Sequence, residues 1–517
     1  MQTARRIVSS PPLLALSGLI VLGAVLRFAT IDLQSYRYDE AVTVGRVLHP
    51  SLFDTLAAVP RSESTPPLYY AIAWGWSRIL GSGEIGMRSL SALAGTASIG
   101  VVYLAALALP LRRRAGLVAA AIVAVNPVLI WFSQDARAYA LVFLLTALSF
   151  LFFARTRWGG EGRDREARGA GRDLAWWAAT SGLALWTHYF AAFVVIPEAA
   201  ILLTSSFGIR MRAKRQSQQG EVWGSPVRVL AAIGVVVAVG ALLVPIALQQ
   251  SGNAHASWIA EQPASQRLER AGMKLVGEDN GDEHGSRQPG PVPPAIPIAL
   301  ALSALALLAW RGDDLERRGG AIAAVVGAAG IAIPLVLGLL GADYLDGRNL
   351  IPVFVPLVVL LGAGFGARRA GWVGLGAAAA FCLCALIFTL EIDRLPRLQR
   401  EDLRNAAAQI EPLRPGTAVV TVKYSANQPL RWYLGARFAT GRLPPLRQID
   451  LVGSASAGRS AGRLLPASFH RVESKPVSYN FTLTRFRAAH PVGVPLRVLE
   501  QGALVGGGAT ASVLVAP

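Results

Sequence analysis

Residues 88–110, RSLSALAGTASIGVVYLAALALP, decide the class of fold because they carry a single charge, at their first position. A helix rises about 1.5 Å per residue, so a run of this length crosses the hydrocarbon core of a bilayer, which is about 30 Å thick. The composition agrees, since 53% of the 517 residues are hydrophobic and 16% are charged. The sequence therefore predicts a mainly α, polytopic membrane protein and excludes a soluble enzyme or a disordered chain.

Eleven apolar runs are predicted to cross the membrane, and the first is too long for a cleaved signal peptide. Two segments rich in Gly and charge, 161–173 and 275–294, are predicted to be mobile loops. The predicted spans are residues 12–31, 88–110, 115–132, 138–154, 174–188, 190–207, 229–249, 295–310, 320–341, 349–366 and 371–390.

The basic residues orient these spans. The net charge is +18, and basic residues collect in segments such as 155–172 and 208–228. Lys and Arg favour cytoplasmic loops, which makes the N-terminus cytoplasmic and the C-terminus external. A further run, 67–81, would invert both basic segments if it crossed. It is short and rich in aromatic residues, so we predict a helix at the membrane interface. Because the charge lies in loops and not on one soluble face, no nucleic-acid partner is predicted.

The C-terminal part differs from the rest of the chain. Residues 392–517 contain no spanning run, and they combine a helix-like segment, 401–410, with a β-rich segment, 417–422. This pattern predicts a small extracytoplasmic α/β domain. The predicted domains are thus 1–391, a transmembrane domain with the outer loop 32–87, and 392–517.

Acidic residues gather on the predicted outer face at two places. Tyr38-Asp39-Glu40 follows the first span, and a carboxylate at the membrane surface can act as a general base toward a hydroxyl. Asp135 lies in a tight turn between two spans, close to Arg137. Alternatives stay open: the first acids can belong to a solvated loop or a helix N-terminus. Asp135 can cap the next helix, with Arg137 snorkelling beside it.

Two further residues on this face can contact an anion. His188 lies between two spans, and Arg348 lies at the outer mouth of span 349–366, where the positive-inside rule makes Arg unexpected. Arg binds phosphate through its planar fork. Alternatively, His188 belongs to an aromatic belt with Tyr189, and Arg348 is an anchor at the lipid headgroups.

Motifs for several other chemistries are missing from the sequence. It contains no Walker loop, no Rossmann fingerprint after a strand and no His/Cys cluster with zinc spacing. The sequence therefore requires no cofactor. Asp39, Glu40 and Asp135 on one face leave a divalent metal, Mg²⁺ or Mn²⁺, as an open alternative.

The order of these motifs resembles that in bacterial members of the protein O-mannosyltransferase and aminoarabinose transferase (glycosyltransferase 39-like) superfamily, whose fold is GT-C. The resemblance covers about residues 1–370. It rests on Tyr38-Asp39-Glu40, Ser64-Thr65-Pro66-Pro67-Leu68-Tyr69-Tyr70, Arg88-Ser89-Leu90-Ser91-Ala92-Leu93, Asn126-Pro127, Ser133-Gln134-Asp135-Ala136-Arg137-Ala138-Tyr139, Thr187-His188-Tyr189-Phe190 and Arg348-Asn349-Leu350-Ile351-Pro352.

The resemblance implies a role for each candidate residue. Asp39 would be the catalytic base, supported by Glu40, and Asp135 would be the second acid of the site. Many relatives have His where this chain has Thr65, which leaves the acceptor open. The residues implied to bind the donor phosphate are Arg348, His188 and Arg137, and those implied to line the substrate groove are Tyr38, Pro66, Pro67, Tyr69, Tyr139 and Tyr189.

The implied activity is transfer of a sugar, mannose or a related one, from a polyprenyl-phosphate donor to an acceptor hydroxyl, with inversion. The acceptor would be a glycan, a glycolipid or a protein at the outer face of the bacterial plasma membrane. Three alternatives remain: a transporter or flippase for polyprenyl-linked sugars, a membrane scaffold whose tail binds a partner, and a different GT-C transfer such as that of arabinose.

Overall fold

Helices dominate the residues that the computed structural model describes, which are 11–158, 163–215, 226–251, 263–276, 292–410, 412–506 and 510–517. The helices are α1 (Pro11–Phe28), α2 (Tyr38–Val42), α3 (Leu52–Ser62), α4 (Leu68–Leu80), α5 (Glu84–Ala108), α6 (Arg113–Val125), α7 (Pro127–Ser133), α8 (Tyr139–Trp158), α9 (Arg163–Thr187), α10 (Ala192–Arg215), α11 (Pro226–Ala241), α12 (Val244–Ser251), α13 (Ala264–Val276), α14 (Ala295–Arg311), α15 (Asp314–Leu339), α16 (Phe354–Phe365), α17 (Gly371–Arg394), α18 (Leu403–Gln409), α19 (Asn427–Leu434), α20 (Ala455–Ser460) and α21 (Leu496–Leu499).

The chain divides into two compact units. The transmembrane unit contains the residues up to Ile31 together with Ser51–Ile392, and the tail unit contains Asp32–Pro50 together with Asp393–Pro517. The segment 32–50, which the sequence analysis assigned to the first domain, thus groups with the tail. Hydrogen bonds explain this grouping, because Ser35 Oγ donates to the Glu401 carbonyl at 2.6 Å and the Tyr36 N–H donates to Tyr433 Oη at 2.7 Å.

The transmembrane unit contains the apolar helices of a multi-pass membrane protein, and all eleven predicted spans overlap helices. By length and composition, six helices among the described residues can cross a membrane, or eight if each of two bent pairs forms one span. Two shorter apolar helices, Ala295–Arg311 and Ile351–Phe365, add to these. The number eleven therefore stays a prediction.

The predicted loops and the predicted interfacial segment have different outcomes. Segment 161–173 is helical from Arg163 onward, because α9 begins there, and is not a loop over that part. Most of segment 275–294 lies outside the described residues. The run 67–81 forms helix α4, which buries Tyr69, Tyr70 and Ala73 on one side and ends at Gly81.

A sharp break separates α6 from α7. Asn126 ends α6, and its side-chain oxygen accepts a hydrogen bond from the Leu129 N–H at 3.1 Å, which caps α7. Pro127 begins α7, where a missing N–H carries no cost. The two helices meet at 58°. The break thereby directs the turn after α7, which carries Asp135, away from the axis of α6.

The tail unit is built on a six-stranded sheet, which confirms the predicted α/β domain. Strands β1 (Thr417–Val422) and β3 (Leu446–Gly453) are parallel, and the other neighbouring strands are antiparallel. The remaining strands are β2 (Arg437–Phe438), β4 (His470–Pro476), β5 (Thr482–Val492) and β6 (Ala511–Val515), in the spatial order β2-β6-β1-β3-β5-β4. Apolar clusters cover both faces of the sheet, and a buried ion pair joins Arg485 to Asp450 at 2.8 Å.

If α4 lies at the interface, the eleven spans place the two termini on opposite sides of the membrane. Alkaline phosphatase fused to the C-terminus should then be active outside the cell, and the same enzyme inserted after Arg112 should be inactive. If α4 crosses the membrane, both results invert together. Reporter activity normalised to expression measures the outcome.

Candidate functional site

The turn that carries Asp135 is held by a buried arginine from another helix. Arg27, in the last turn of α1, donates to the carbonyls of Val123 and Ala124 at 2.9 and 3.1 Å. These carbonyls lie at the C-terminal end of α6, where the break leaves them without helical partners. The Nε of Arg27 also donates to Ser133 Oγ at 3.1 Å. The guanidinium therefore satisfies the broken helix and fixes the end of α7.

The same turn holds α1 in return. Gln134 Nε2 donates to Thr30 Oγ1 at 2.9 Å and to the Arg27 carbonyl at 3.2 Å, which satisfies the C-terminal end of α1. The close approach depends on Gly95 of α5, because a β-carbon there would collide with Ser133 Oγ. On the far side of the turn, Ser91 Oγ donates to the Arg137 carbonyl at 3.3 Å.

Arg137 connects this turn to the segment before α4. It forms a bidentate ion pair with Glu63, with N···O distances of 2.8 and 2.9 Å, and both side chains are buried. The guanidinium also lies 5.9 Å from the ring centroid of Tyr70, whose hydroxyl pairs with Thr65 Oγ1 at 2.8 Å. The predicted groove segment, with Pro66, Pro67 and Tyr69, is thus fixed beside the buried Asp135 turn.

Tyr189, another predicted groove residue, attaches to the same segment. Its hydroxyl donates to Gln250 Oε1 at 2.8 Å, and Gln250 Nε2 donates to the Thr65 carbonyl at 3.0 Å. Gln250 thereby joins Tyr189, which precedes α10, to Thr65, which precedes α4.

His188 occupies the turn between α9 and the short 3₁₀ helix Tyr189–Ala191, packed 5.6 Å from the ring of Tyr139. Burial, together with the nearby charges of Arg348 and Arg137, lowers the pKa of His188 from 6.5 to about 3. The imidazole is therefore neutral near pH 7. Its Nδ1 accepts from the Phe190 N–H at 3.4 Å, which leaves the proton on Nε2. A neutral donor near two guanidinium charges can contact an anion without repelling the cations.

Arg348 lies in the turn after α15 and is oriented by Asp346. The Arg348 N–H donates to Asp346 Oδ1 at 3.0 Å, and the side-chain Nε lies 3.8 Å from the same oxygen. The buried Lys274 of α13 packs against Gly347, where a β-carbon would collide with its side chain. Helix α13 is held to this turn by an ion pair between Arg267 and Asp343, which keeps the pKa of Asp343 below its usual value.

The tail unit holds the other two predicted acids in contrasting environments. Glu40 is fully buried and pairs with Arg400 at 2.9 Å, and it also accepts from the Arg37 N–H at 3.0 Å. The Asp39 side chain is 31% exposed and lies 3.7 Å from Arg37. A buried, paired carboxylate suits a positioning role, whereas the accessible Asp39 can meet a substrate.

Arg137 and Arg348 both lie close enough to His188 for their charges to lower its pKa. Sequence reasoning missed Glu63 and Lys274. The sequence offered one indication for Glu63, which stands directly before the motif Ser64–Tyr70. It could not indicate the partner, because Arg137 is 74 residues away. The only indication for Lys274 in the sequence was that it is one of four lysines in the chain. Within the described ranges, no group of three or more His, Cys, Asp or Glu side chains is arranged to hold a metal ion.

Comparison with known proteins agrees with this architecture. Residues 64–219 match the family model described as dolichyl-phosphate-mannose-protein mannosyltransferase. No curated protein sequence matches the chain. ArnT from Cupriavidus metallidurans bound to undecaprenyl phosphate is similar in structure, with a TM-score of 0.55 and 12% identity over 92% of this chain and 98% of that chain. The chain has the GT-C fold.

The apo state of the same ArnT matches as well, with a TM-score of 0.54 and 12% identity over 90% of this chain and 97% of that chain. The GT-C fold that the resemblance implied is therefore confirmed. The likeness extends over both units, because nearly the whole length of each chain is covered.

The lowered pKa of His188 predicts a pH-dependent stability. Between pH 6.5 and 3 the unfolded chain binds a proton that the folded site excludes, so stability is lost as the pH falls below 6.5. From pH 7.5 to pH 5 the loss from this group amounts to about 2 kcal/mol. Denaturant unfolding in detergent at both pH values measures the free energy of unfolding. In His188→Gln, the loss of about 2 kcal/mol between pH 7.5 and pH 5 should be absent. The exposed His490→Gln should keep it, and equal pH dependence in H188Q and the wild type would contradict the assignment.

Proposed function

We propose that this GT-C protein transfers a sugar from a polyprenyl-phosphate donor to an acceptor hydroxyl at the outer face of the bacterial plasma membrane. The observation that carries the proposal is the buried His188 beside Tyr139, close enough to Arg137 and Arg348 for both charges to lower its pKa. Two guanidinium groups and one neutral N–H donor form a site suited to a phosphate. The family match over residues 64–219 covers two of these three residues and supports the same class of reaction.

The donor phosphate is assigned to Arg348 and His188, with Arg137 and Lys274 contributing positive charge. Arg348 keeps its orientation through Asp346, so its guanidinium loses little freedom on binding. As the bond between the anomeric carbon and the phosphate oxygen breaks, the electron pair stays on the phosphate. Fixed cations stabilise that developing charge. The undecaprenyl phosphate named for the similar ArnT structure supports a lipid-phosphate donor for this chain too.

Asp39 is assigned as the general base. It takes the proton from the acceptor hydroxyl, whose oxygen attacks the anomeric carbon from the face opposite the phosphate, so the configuration inverts. Glu40 supports this residue from the same helix: its pairing with Arg400 anchors α2 and keeps Asp39 at the exposed side. Asp135 is the second acid of the proposal.

The sugar is proposed to be mannose or a related hexose or pentose, and the acceptor a glycan, a glycolipid or a protein. Of the predicted groove residues, Tyr189 is half-buried and suits a sugar, because tyrosine combines an aromatic face with a polar hydroxyl, whereas Tyr69 and Tyr139 are buried and support the groove from within. The Thr65 hydroxyl is occupied by Tyr70, so the position where many relatives have His is used for packing.

A transporter of polyprenyl-linked sugars is the second candidate, and the two bent helix pairs favour it. Transporters place polar groups and free helix ends at such breaks, near the middle of the membrane. The break between α11 and α12 contains Leu242 and Leu243, which offer no polar side chain to a substrate. We therefore prefer the transferase.

Replacing the base tests the mechanism most directly. Asp39→Asn should lower transfer from a radiolabelled polyprenyl-phosphate sugar to membrane acceptors by about 10³-fold, because general-base catalysis of this kind contributes about 10²–10⁴-fold. The matched control is Asp32→Asn, an exposed aspartate of the same segment, which should keep wild-type activity. Near-normal transfer by D39N, with normal membrane insertion, would show that another group is the base.

The donor site predicts a different kinetic signature. Arg348→Ala should lower kcat/KM for the lipid-phosphate donor by about 10²-fold, since it removes a charge that stabilises the leaving phosphate. The KM for the acceptor should change little. Arg369→Ala, an exposed arginine at the predicted cytoplasmic end of the spans, is the control. Unchanged donor kinetics in R348A would remove this residue from the phosphate site.

A further inference from the structure

Tyr424, in the tail unit, has a backbone conformation that its residue type disfavours. Its φ is +66°, and every other residue with positive φ in the described part of the chain is a glycine. The left-handed region brings a β-carbon close to the backbone, which is why Gly, Asn and Asp dominate it. Strain of this kind persists where function requires a particular side chain. A tyrosine at this position therefore needs an explanation beyond the turn itself.

The location of Tyr424 is one where α/β sheets bind ligands. It follows β1 by two residues, in the turn that leads to α19, and β1 runs parallel to β3. In open α/β sheets, ligands bind beyond the carboxyl ends of the parallel strands. The Tyr424 side chain therefore lies at the carboxyl end of β1.

The Tyr424 ring stays accessible although two residues contact it. Lys423 Nζ lies 4.9 Å from the ring centroid, and the Tyr38 ring meets it edge to face at 6.1 Å and 67°. Tyr424 is nevertheless 65% exposed. Tyr38 stands directly before Asp39 on α2, so the pair of rings, which we call the tyrosine platform, adjoins the proposed base.

We propose that the tyrosine platform binds a pyranose ring of a carbohydrate acceptor, so that the tail unit selects a glycan over a protein hydroxyl. The proposal rests on the proposed function and narrows its acceptor class. A pyranose offers an apolar face of C–H groups and a rim of hydroxyls. The Tyr424 ring supplies a flat apolar surface, and Lys423 supplies a donor beside it.

The shape of the platform argues against other ligands. An extended peptide is normally bound through a strand edge or an apolar groove with pockets for alternate side chains. The edge strand β4 carries Lys475 and Pro476, residues that block strand addition. The exposed part of the platform is the ring of Tyr424, which is as large as one sugar ring and too small to cover a lipid chain.

The test uses the full-length protein in lipid nanodiscs and three variants. Tyr424→Gly removes the ring and relieves the positive φ, so it should fold at least as well as the wild type. Tyr424→Phe keeps the ring. Tyr479→Gly is the control, because Tyr479 is 60% exposed in the same unit and lies in a different turn. Thermal unfolding confirms folding of each variant before the ligand assays.

The first readout is binding, measured by saturation-transfer NMR with methyl mannosides, mannobiose, cellobiose and a threonine-containing peptide. Ring C–H protons of at least one saccharide should be saturated by the wild type, Y424F and Y479G, and at least fivefold less by Y424G. Equal saturation in Y424G and the wild type overturns the proposal, as does no saturation of any saccharide by the wild type. Selective saturation of the peptide overturns it in favour of a protein acceptor.

The second readout is transfer from a labelled polyprenyl-phosphate sugar to the saccharide that binds best. In Y424G the acceptor KM should rise about tenfold, with kcat and the donor KM within twofold of the wild type. An unchanged acceptor KM, or a change confined to the donor, overturns the platform. If the wild type transfers no polyprenyl-linked sugar, the proposed function fails, and the binding experiment still decides the platform on its own.

Discussion

The guanidinium of Arg27 is the interaction on which the arrangement of the transmembrane unit depends. The Asn126-Pro127 break ends α6 in an apolar surrounding, where free carbonyls cost several kcal/mol each if no donor reaches them. Arg27 supplies donors to Val123 and Ala124 and holds Ser133 at the same time. Its charge is balanced by the negative end of the helix dipole. A broken helix can therefore direct the Asp135 turn without leaving its own backbone unsatisfied.

Charge in the two units follows one physical rule. A buried ion is stable when hydrogen bonds or an opposite charge satisfy it: carbonyls do this for Arg27, and arginines do it for Glu63 and Glu40. These pairs are rigid and hold neighbouring segments in place. Two residues proposed for chemistry are more accessible, since the Asp39 side chain is 31% exposed and the Arg348 side chain is 15% exposed. His188 is buried and needs no acidic partner because it carries no charge: burial and the two nearby arginine charges lower its pKa and keep the imidazole neutral.

Sequence reasoning predicted the elements better than the contacts between them. The strand 417–422 and the helix 68–80 were predicted within one residue at each end, and every apolar run overlaps a helix, because local hydrophobic pattern and turn residues determine them. The segment 161–173 was wrong as a loop, since α9 begins at Arg163 and includes the rest of the segment. The pairing of Glu63 with Arg137 and the contact of Lys274 with Gly347 were not predicted. Both join residues more than 70 positions apart, and no periodicity reports such distances.

The sequence by itself determined the membrane class, the GT-C motifs in their order, the α/β tail and the residue types available for binding a phosphate. These follow from composition and short-range pattern, which act through solvation and local backbone preference. Only the tertiary structure decided the environment in which each of those residues lies. Whether an acid is buried against an arginine or open to a substrate depends on which helices pack together. Packing is a property of the whole chain, so Glu40 and Asp39, neighbours in sequence, differ completely in environment.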